Sequence, residues 1–116
     1  MRAVRIHDLT GPKGLRVDEL PTPVPGEGEV RIDVKAAGVN FPEVLLSYGK
    51  YQFKPEPPFI PGGEAAGVVG AVGAGVTSVK IGDRVAATMV SGGFAEQWVV
   101  PEAALVKVPE NVDFAI

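Results

Sequence analysis

Hydrophobic and polar positions alternate most cleanly over residues 30–36, where Val30, Ile32, Val34 and Ala36 fall on one face and Arg31, Asp33 and Lys35 on the other. A period of two is the repeat of a strand with one buried face, so this segment is predicted to be a half-buried strand. Weaker forms of the same pattern predict strands over residues 3–7, 15–19, 65–71, 83–88, 94–100 and 104–108. The 15 glycines and 11 prolines are spread along the chain rather than gathered in one linker, which cuts it into short segments joined by tight turns. Pro21-Thr22-Pro23-Val24-Pro25-Gly26, ahead of the 30–36 strand, reads as a stiff loop. The predicted fold class is mainly β, and a partly open β-barrel is the economical way to pair so many short strands.

One helix interrupts the strands. Asn40 is a favoured N-cap residue, Pro42 and Glu43 suit a first helical turn, and Phe41, Val44, Leu45 and Tyr48 follow a helical stripe before Gly49 ends it. This short helix is expected to lay that stripe against the barrel. From the residues alone, Asn40 reads as a cap that satisfies backbone donors, or as an amide available to a ligand.

The 116 residues suit one domain, which at this size buries roughly two-thirds of its unfolded surface. With 46% hydrophobic and 22% charged residues and a formal net charge of -3, the chain has the composition of an ordinary globular domain. No basic patch points to nucleic acid, no apolar run has the length of a membrane span, and Met1-Arg2-Ala3-Val4-Arg5-Ile6 opens no signal-peptide stretch. The expected location is cytoplasmic. There is no Cys, and His7 is the one His, so too few soft ligands exist for a tetrahedral zinc site and no metal is expected.

Several signals carry less than they suggest. Gly70-Ala71-Val72-Gly73-Ala74-Gly75 is glycine-rich, yet the third glycine and the following helix of a phosphate-binding loop are missing, so it reads as a turn. His7 reads as a solvated or hydrogen-bonded strand histidine. Glu64 has no cationic partner in sequence and reads first as a carboxylate fixing nearby loops through backbone N–H groups, with an acid/base role second. The run Lys50-Tyr51-Gln52-Phe53-Lys54 reads as a solvated loop.

Gly38-Val39-Asn40-Phe41-Pro42-Glu43, Leu46-Ser47-Tyr48-Gly49-Lys50-Tyr51 and the stretch from Pro57 through Pro61-Gly62-Gly63-Glu64-Ala65-Ala66-Gly67 to Val69 carry a resemblance. Lys80-Ile81-Gly82-Asp83-Arg84-Val85 and Gly92-Gly93-Phe94-Ala95-Glu96-Gln97-Trp98 extend it in collinear order over nearly the whole chain. Together they resemble the N-terminal, GroES-like domain of the zinc-independent quinone oxidoreductases, the zeta-crystallin-like group of the medium-chain dehydrogenase/reductase superfamily. Asn40 and Gly63 stand where zinc-dependent relatives carry a Cys and a His.

The resemblance implies a two-domain enzyme that transfers hydride from NADPH to a quinone or another conjugated carbonyl, with residues 1–116 forming the first domain and the nucleotide-binding domain lying outside this chain. It implies that Asn40, Phe41, Pro42 and Leu45 touch the nicotinamide end of the cofactor, that Tyr51 lines the substrate side, and that the whole protein is a homodimer. Where relatives can present a Tyr this chain has Leu45, and where they often have an Arg it has Ser47, departures that leave substrate polarity open and remove one phosphate or carboxylate contact of the resemblance. Hydride chemistry belongs to the nicotinamide, so the protein need only position the reactants, exclude water and stabilise charge on the acceptor oxygen. The Asn40 amide and the Tyr51 hydroxyl are the donors suited to that last task, and both are candidate catalytic residues. An enoyl-thioester reductase of the same superfamily and a co-chaperonin-like binding module are the alternatives. The short, Pro-stiffened loop before residue 30 argues against the second.

Overall fold

The strand predicted from alternation becomes β3, Glu29–Ala37, and it carries the centre of the sheet. In the computed structural model, which describes residues 1–40, 43, 47–49 and 56–114, β1 is Arg2–Ile6, β2 Leu15–Glu19, β4 Glu64–Val72, β5 Arg84–Thr88, β6 Gln97–Pro101 and β7 Leu105–Lys107. Five strands form one antiparallel sheet in the order β6-β3-β4-β5-β7, and β1 and β2 pair as a separate ribbon. The mainly β, open architecture expected from the sequence is what the chain adopts.

The core follows the alternation. Val30 and Ile32 of β3, Ala65 and Val69 of β4, Val85 and Ala87 of β5, and Trp98 and Val100 of β6 form one buried cluster with Val79. Fully burying a side chain of Val or Ile size contributes roughly 1.5–3 kcal/mol, so this single face is the main stabilising element. Val34 packs against it, but Ala36 leaves the pattern, because the register slips between Val34 and Ala36. A bulge inserts one residue, and beyond it the alternation no longer predicts the face. Gly67, paired with Val34, lies where a Cβ would overlap the Asp33 carbonyl. Only glycine lets the two backbones approach this closely.

The predicted strand at 94–100 is divided between two sheets. Ala95 bridges Ala3, and the Val4 N–H donates to the Phe94 carbonyl at 2.8 Å, while Gln97–Pro101 pairs with β3. Ile6 and Phe59 exchange a further pair of backbone bonds. These bridges dock the ribbon on the main sheet and close the barrel in part. Of the glycine-rich segment read as a turn, Gly70 to Val72 continue β4 and the turn itself is Ala74 and Gly75; Gly73 sits where a Cβ would meet the Gly26 carbonyl, so its glycine serves backbone approach.

The predicted helix falls largely outside the described residues. Of its positions, Glu43 and Ser47 are helical, and they are buried to 7% and 3% exposure. Tyr48, expected in the buried stripe, is 45% exposed and lies over Gly11, which has no side chain to displace it. Both of the described helical side chains are thus buried polar ones. Among the described residues no helix is long and apolar enough to cross a membrane.

On the ribbon, Asp18 Oδ2 accepts from Arg5 Nε at 2.7 Å and lies 2.6 Å from His7 Nε2. His7 is thus hydrogen-bonded, as expected, but lies one residue beyond the end of β1. The bond from Arg5, then that from His7, hold the Asp18 carboxyl below its ordinary value. A carboxyl depressed in the folded state contributes stability that is present above its unfolded pKa and lost as pH falls through the folded one. Asp18→Asn is therefore expected to lower the unfolding midpoint at neutral pH, with the difference from wild type closing as pH is taken below 3.8; a constant difference across the titration would contradict this. Gly67→Ala is expected to cost about 1–3 kcal/mol in denaturant unfolding, the usual range for overpacking.

Candidate functional site

The site is built by two segments that meet at one carboxylate. Glu43 Oε2 accepts the backbone N–H of Asn40 at 3.0 Å, and its Oε1 accepts the backbone N–H of Gly63 at 2.9 Å. The first contact is half of a capping box, in which the residue at N3 reaches back to the N-cap, and the Glu43 N–H donates to the Asn40 carbonyl at 3.1 Å. The second reaches across 20 residues to the Pro61-Gly62-Gly63-Glu64 segment. A buried carboxylate is tolerated only when its oxygens are satisfied, and here each has a backbone donor. This is why Glu43 can be buried.

The 61–64 segment is fixed on its other side as well. The Met89 N–H donates to the Gly63 carbonyl at 2.8 Å, Gly93 N–H to Gly62 at 3.0 Å and Phe94 N–H to Pro61 at 3.0 Å. Gly62 has φ +108°, and a Cβ there would come within 2.7 Å of the Phe94 nitrogen. Glycine is required by both conformation and space.

Asn40 and Glu64 come together at the mouth of this assembly. The Asn40 Nδ2 donates to Glu64 Oε1 at 3.0 Å, in the open. Glu64 is also held by its main chain, whose carbonyl accepts from the Gly38 N–H at 3.1 Å. With Gly63, Thr88, Met89 and Val90 these residues line a cleft of about 320 Å³. A second cleft of about 350 Å³ shares Glu64 and Thr88 and is floored by Ala36, Ala66 and Ala86, which are paired in register across β3, β4 and β5. Met89 and Val90 are 38% and 53% exposed, giving the first cleft an apolar lip. The arrangement offers an amide donor and carboxylate oxygens beside a surface suited to a flat ring.

Of the residues predicted to act, Asn40 lies on the cleft wall. Tyr51, Phe41, Pro42 and Leu45 lie outside the described residues, as does the 50–54 loop. Glu64, read from the sequence as a loop-fixing carboxylate, instead binds the Asn40 side chain, and loop fixing through backbone N–H groups falls to Glu43. The Asn40-x-x-Glu43 spacing, a capping-box pattern, was the signal for Glu43. Nothing local in the sequence marks Thr88 or Met89, which reach the cleft through the β4–β5 pairing. Ser47 is buried and its carbonyl accepts the Gly11 N–H at 2.9 Å, so this position supports the helix from inside. Among the described residues no group of three His, Cys, Asp or Glu could hold a metal ion.

Removing Glu43 would strand two backbone donors, each costing about 1–3 kcal/mol when left unsatisfied. Glu43→Ala is expected to lower stability by an amount in that range or above it, and Glu43→Gln, which keeps one acceptor oxygen, by less. Chemical denaturation of the three proteins checks the order; equal midpoints would show that the bridge is dispensable.

Residues 26–110 match the alcohol dehydrogenase GroES-like domain. The chain is 40% identical to human quinone oxidoreductase over 116 residues, covering 98% of this chain and 35% of the relative. It is 43% identical to a Nematostella vectensis quinone oxidoreductase-like protein 2 homolog, covering 97% and 31%. Among solved structures, it superimposes on Escherichia coli quinone oxidoreductase complexed with NADPH with a TM-score of 0.93 at 30% identity, covering 98% of this chain and 35% of that one. The chain therefore spans about a third of the length of these relatives. The match over the 26–110 region and the order of the motifs show that the chain belongs to the alcohol dehydrogenase GroES-like domain family, in the quinone oxidoreductase-like part of the medium-chain dehydrogenase/reductase superfamily.

Proposed function

We propose that this domain forms one wall of the active site of a metal-free oxidoreductase that uses NADPH to reduce a quinone or another conjugated carbonyl, and that a nucleotide-binding domain elsewhere in the protein forms the other wall. The observation that carries this reading is the Asn40 amide, held at its main chain by Glu43 and at its side chain by Glu64. The site fits the nicotinamide end of a dinucleotide. It presents a fixed polar amide next to the half-exposed side chains of Met89 and Val90, the combination that orients a flat ring bearing a polar substituent. No comparable loop for the pyrophosphate is found among the described residues, which accords with that end being held by another domain. The relative from Escherichia coli was solved with NADPH, which supports the choice of cofactor.

When bound, the nicotinamide supplies the hydride. The chain's own contribution is placement. Asn40, with Phe41, Pro42 and Leu45, sets the cofactor ring against the cleft, and the lip at Met89 and Val90 keeps water from it. Asn40 and Tyr51 donate hydrogen bonds to the acceptor oxygen as negative charge grows there. Positioning depends on the Glu43 bridge, because both halves of the wall hang from it.

In the full-length protein, NADPH oxidation is expected to require a quinone or enone acceptor. Tyr51→Phe keeps the ring and deletes one donor, so turnover should fall on the order of a hundredfold with an unchanged melting temperature. Asn40→Ala removes the amide that bonds Glu64 and should lower turnover, whereas Asn40→Ser leaves the backbone acceptor of the Glu43 N–H in place and tests whether the amide itself is needed. Wild-type turnover in all three variants, or activity confined to enoyl thioesters, would overturn the reading.

A further inference from the structure

The described lining of the cleft is acidic. It contains two carboxyl groups, Glu43 and Glu64, and no Lys, Arg or His. Both oxygens of Glu43 are engaged by backbone N–H groups inside the fold. Glu64 differs from it in being exposed, and its carboxylate lies against Gly38, where any side chain would displace it. It reaches the cleft surface through the bond to Asn40 at 3.0 Å. A ligand group that touches the Asn40 amide therefore lies beside a carboxylate with no described counter-ion.

We propose that Glu64 is a specificity-determining residue that makes the cleft favour the oxidised, cationic nicotinamide ring over the reduced, neutral one. The inference rests on the functional reading above, in which Asn40 meets the nicotinamide. On losing hydride to the acceptor, the ring passes from neutral to singly positive, and the hydride's two electrons go to the acceptor. The Glu64 charge acts on that difference alone. It stabilises the cationic ring and leaves the neutral one nearly unaffected, so it biases the ratio of the two affinities. Asn40 places the ring, and Glu64 sets which redox form the place prefers.

The test is a pair of dissociation constants, for NADP+ and for NADPH, measured by fluorescence titration or calorimetry on the full-length protein and on Glu64→Gln. Glutamine keeps an acceptor for Asn40 and removes the charge. The ratio of the NADPH constant to the NADP+ constant is expected to fall about three- to tenfold in Glu64→Gln, the size expected of one unit charge at a solvent-open site, and high salt should shrink the wild-type preference. Glu64→Asp, which restores the charge, should return most of the ratio. A purely structural role would weaken both ligands equally, so an unchanged ratio in Glu64→Gln overturns the proposal while leaving the proposed function standing. Wild-type protein that binds neither dinucleotide overturns the functional reading, and this proposal with it.

Discussion

Every part of the candidate site depends on how one buried carboxylate is satisfied. Glu43 carries two oxygens into a largely buried position, and each must find a donor. One donor comes from the start of its own helix and the other from a glycine twenty positions on. Two segments that are distant in sequence are thereby fixed at hydrogen-bond distance from the same side chain. The helix, the 61–64 loop and the cleft between them form a single construction. The β sheet supplies the platform, but the relative placement of Asn40 and Gly63 is set here.

Much of the sheet was legible because strand alternation reports burial directly. The segments predicted at 3–7, 15–19, 30–36, 65–71 and 83–88 fall within a residue or two of β1 to β5. Two failures have identifiable causes. Ala36 was assigned to the face of Val30 and Ile32, and the bulge after Val34 broke that assignment. The 94–100 segment read as one strand, and alternation cannot show that its first residues pair with β1 and its later ones with β3. Register and partner choice are tertiary properties, which local pattern does not contain.

The site was less legible, and the reason is again physical. Helical periodicity ranks residues by hydrophobicity, so it assigned Tyr48 to the interior and passed over Glu43. For these two residues the structure inverts that order, because a carboxylate with two backbone donors is at home inside and a Tyr over a glycine can remain half in solvent. Family resemblance pointed to Asn40 through its neighbours in sequence, and its partner Glu64 was recognised as a structural carboxylate. That the two bind each other follows from the β3–β4 pairing, which brings Ala37 opposite Ala65 and so sets the ends of both strands side by side.

The division of residues 94–101 between two sheets bears on how the domain is made. Within this domain β1 is made ahead of the other strands and can pair first with β2, but a two-stranded ribbon is marginal by itself. Its remaining partners are Phe59 and the Phe94–Glu96 stretch, and the Arg2 carbonyl receives the Glu96 N–H across 94 positions. Contacts of such separation are slow to form, since a long loop must close before they contribute. During vectorial synthesis Ala3, buried in the finished fold, therefore waits without its Ala95 bridge until most of the domain has emerged.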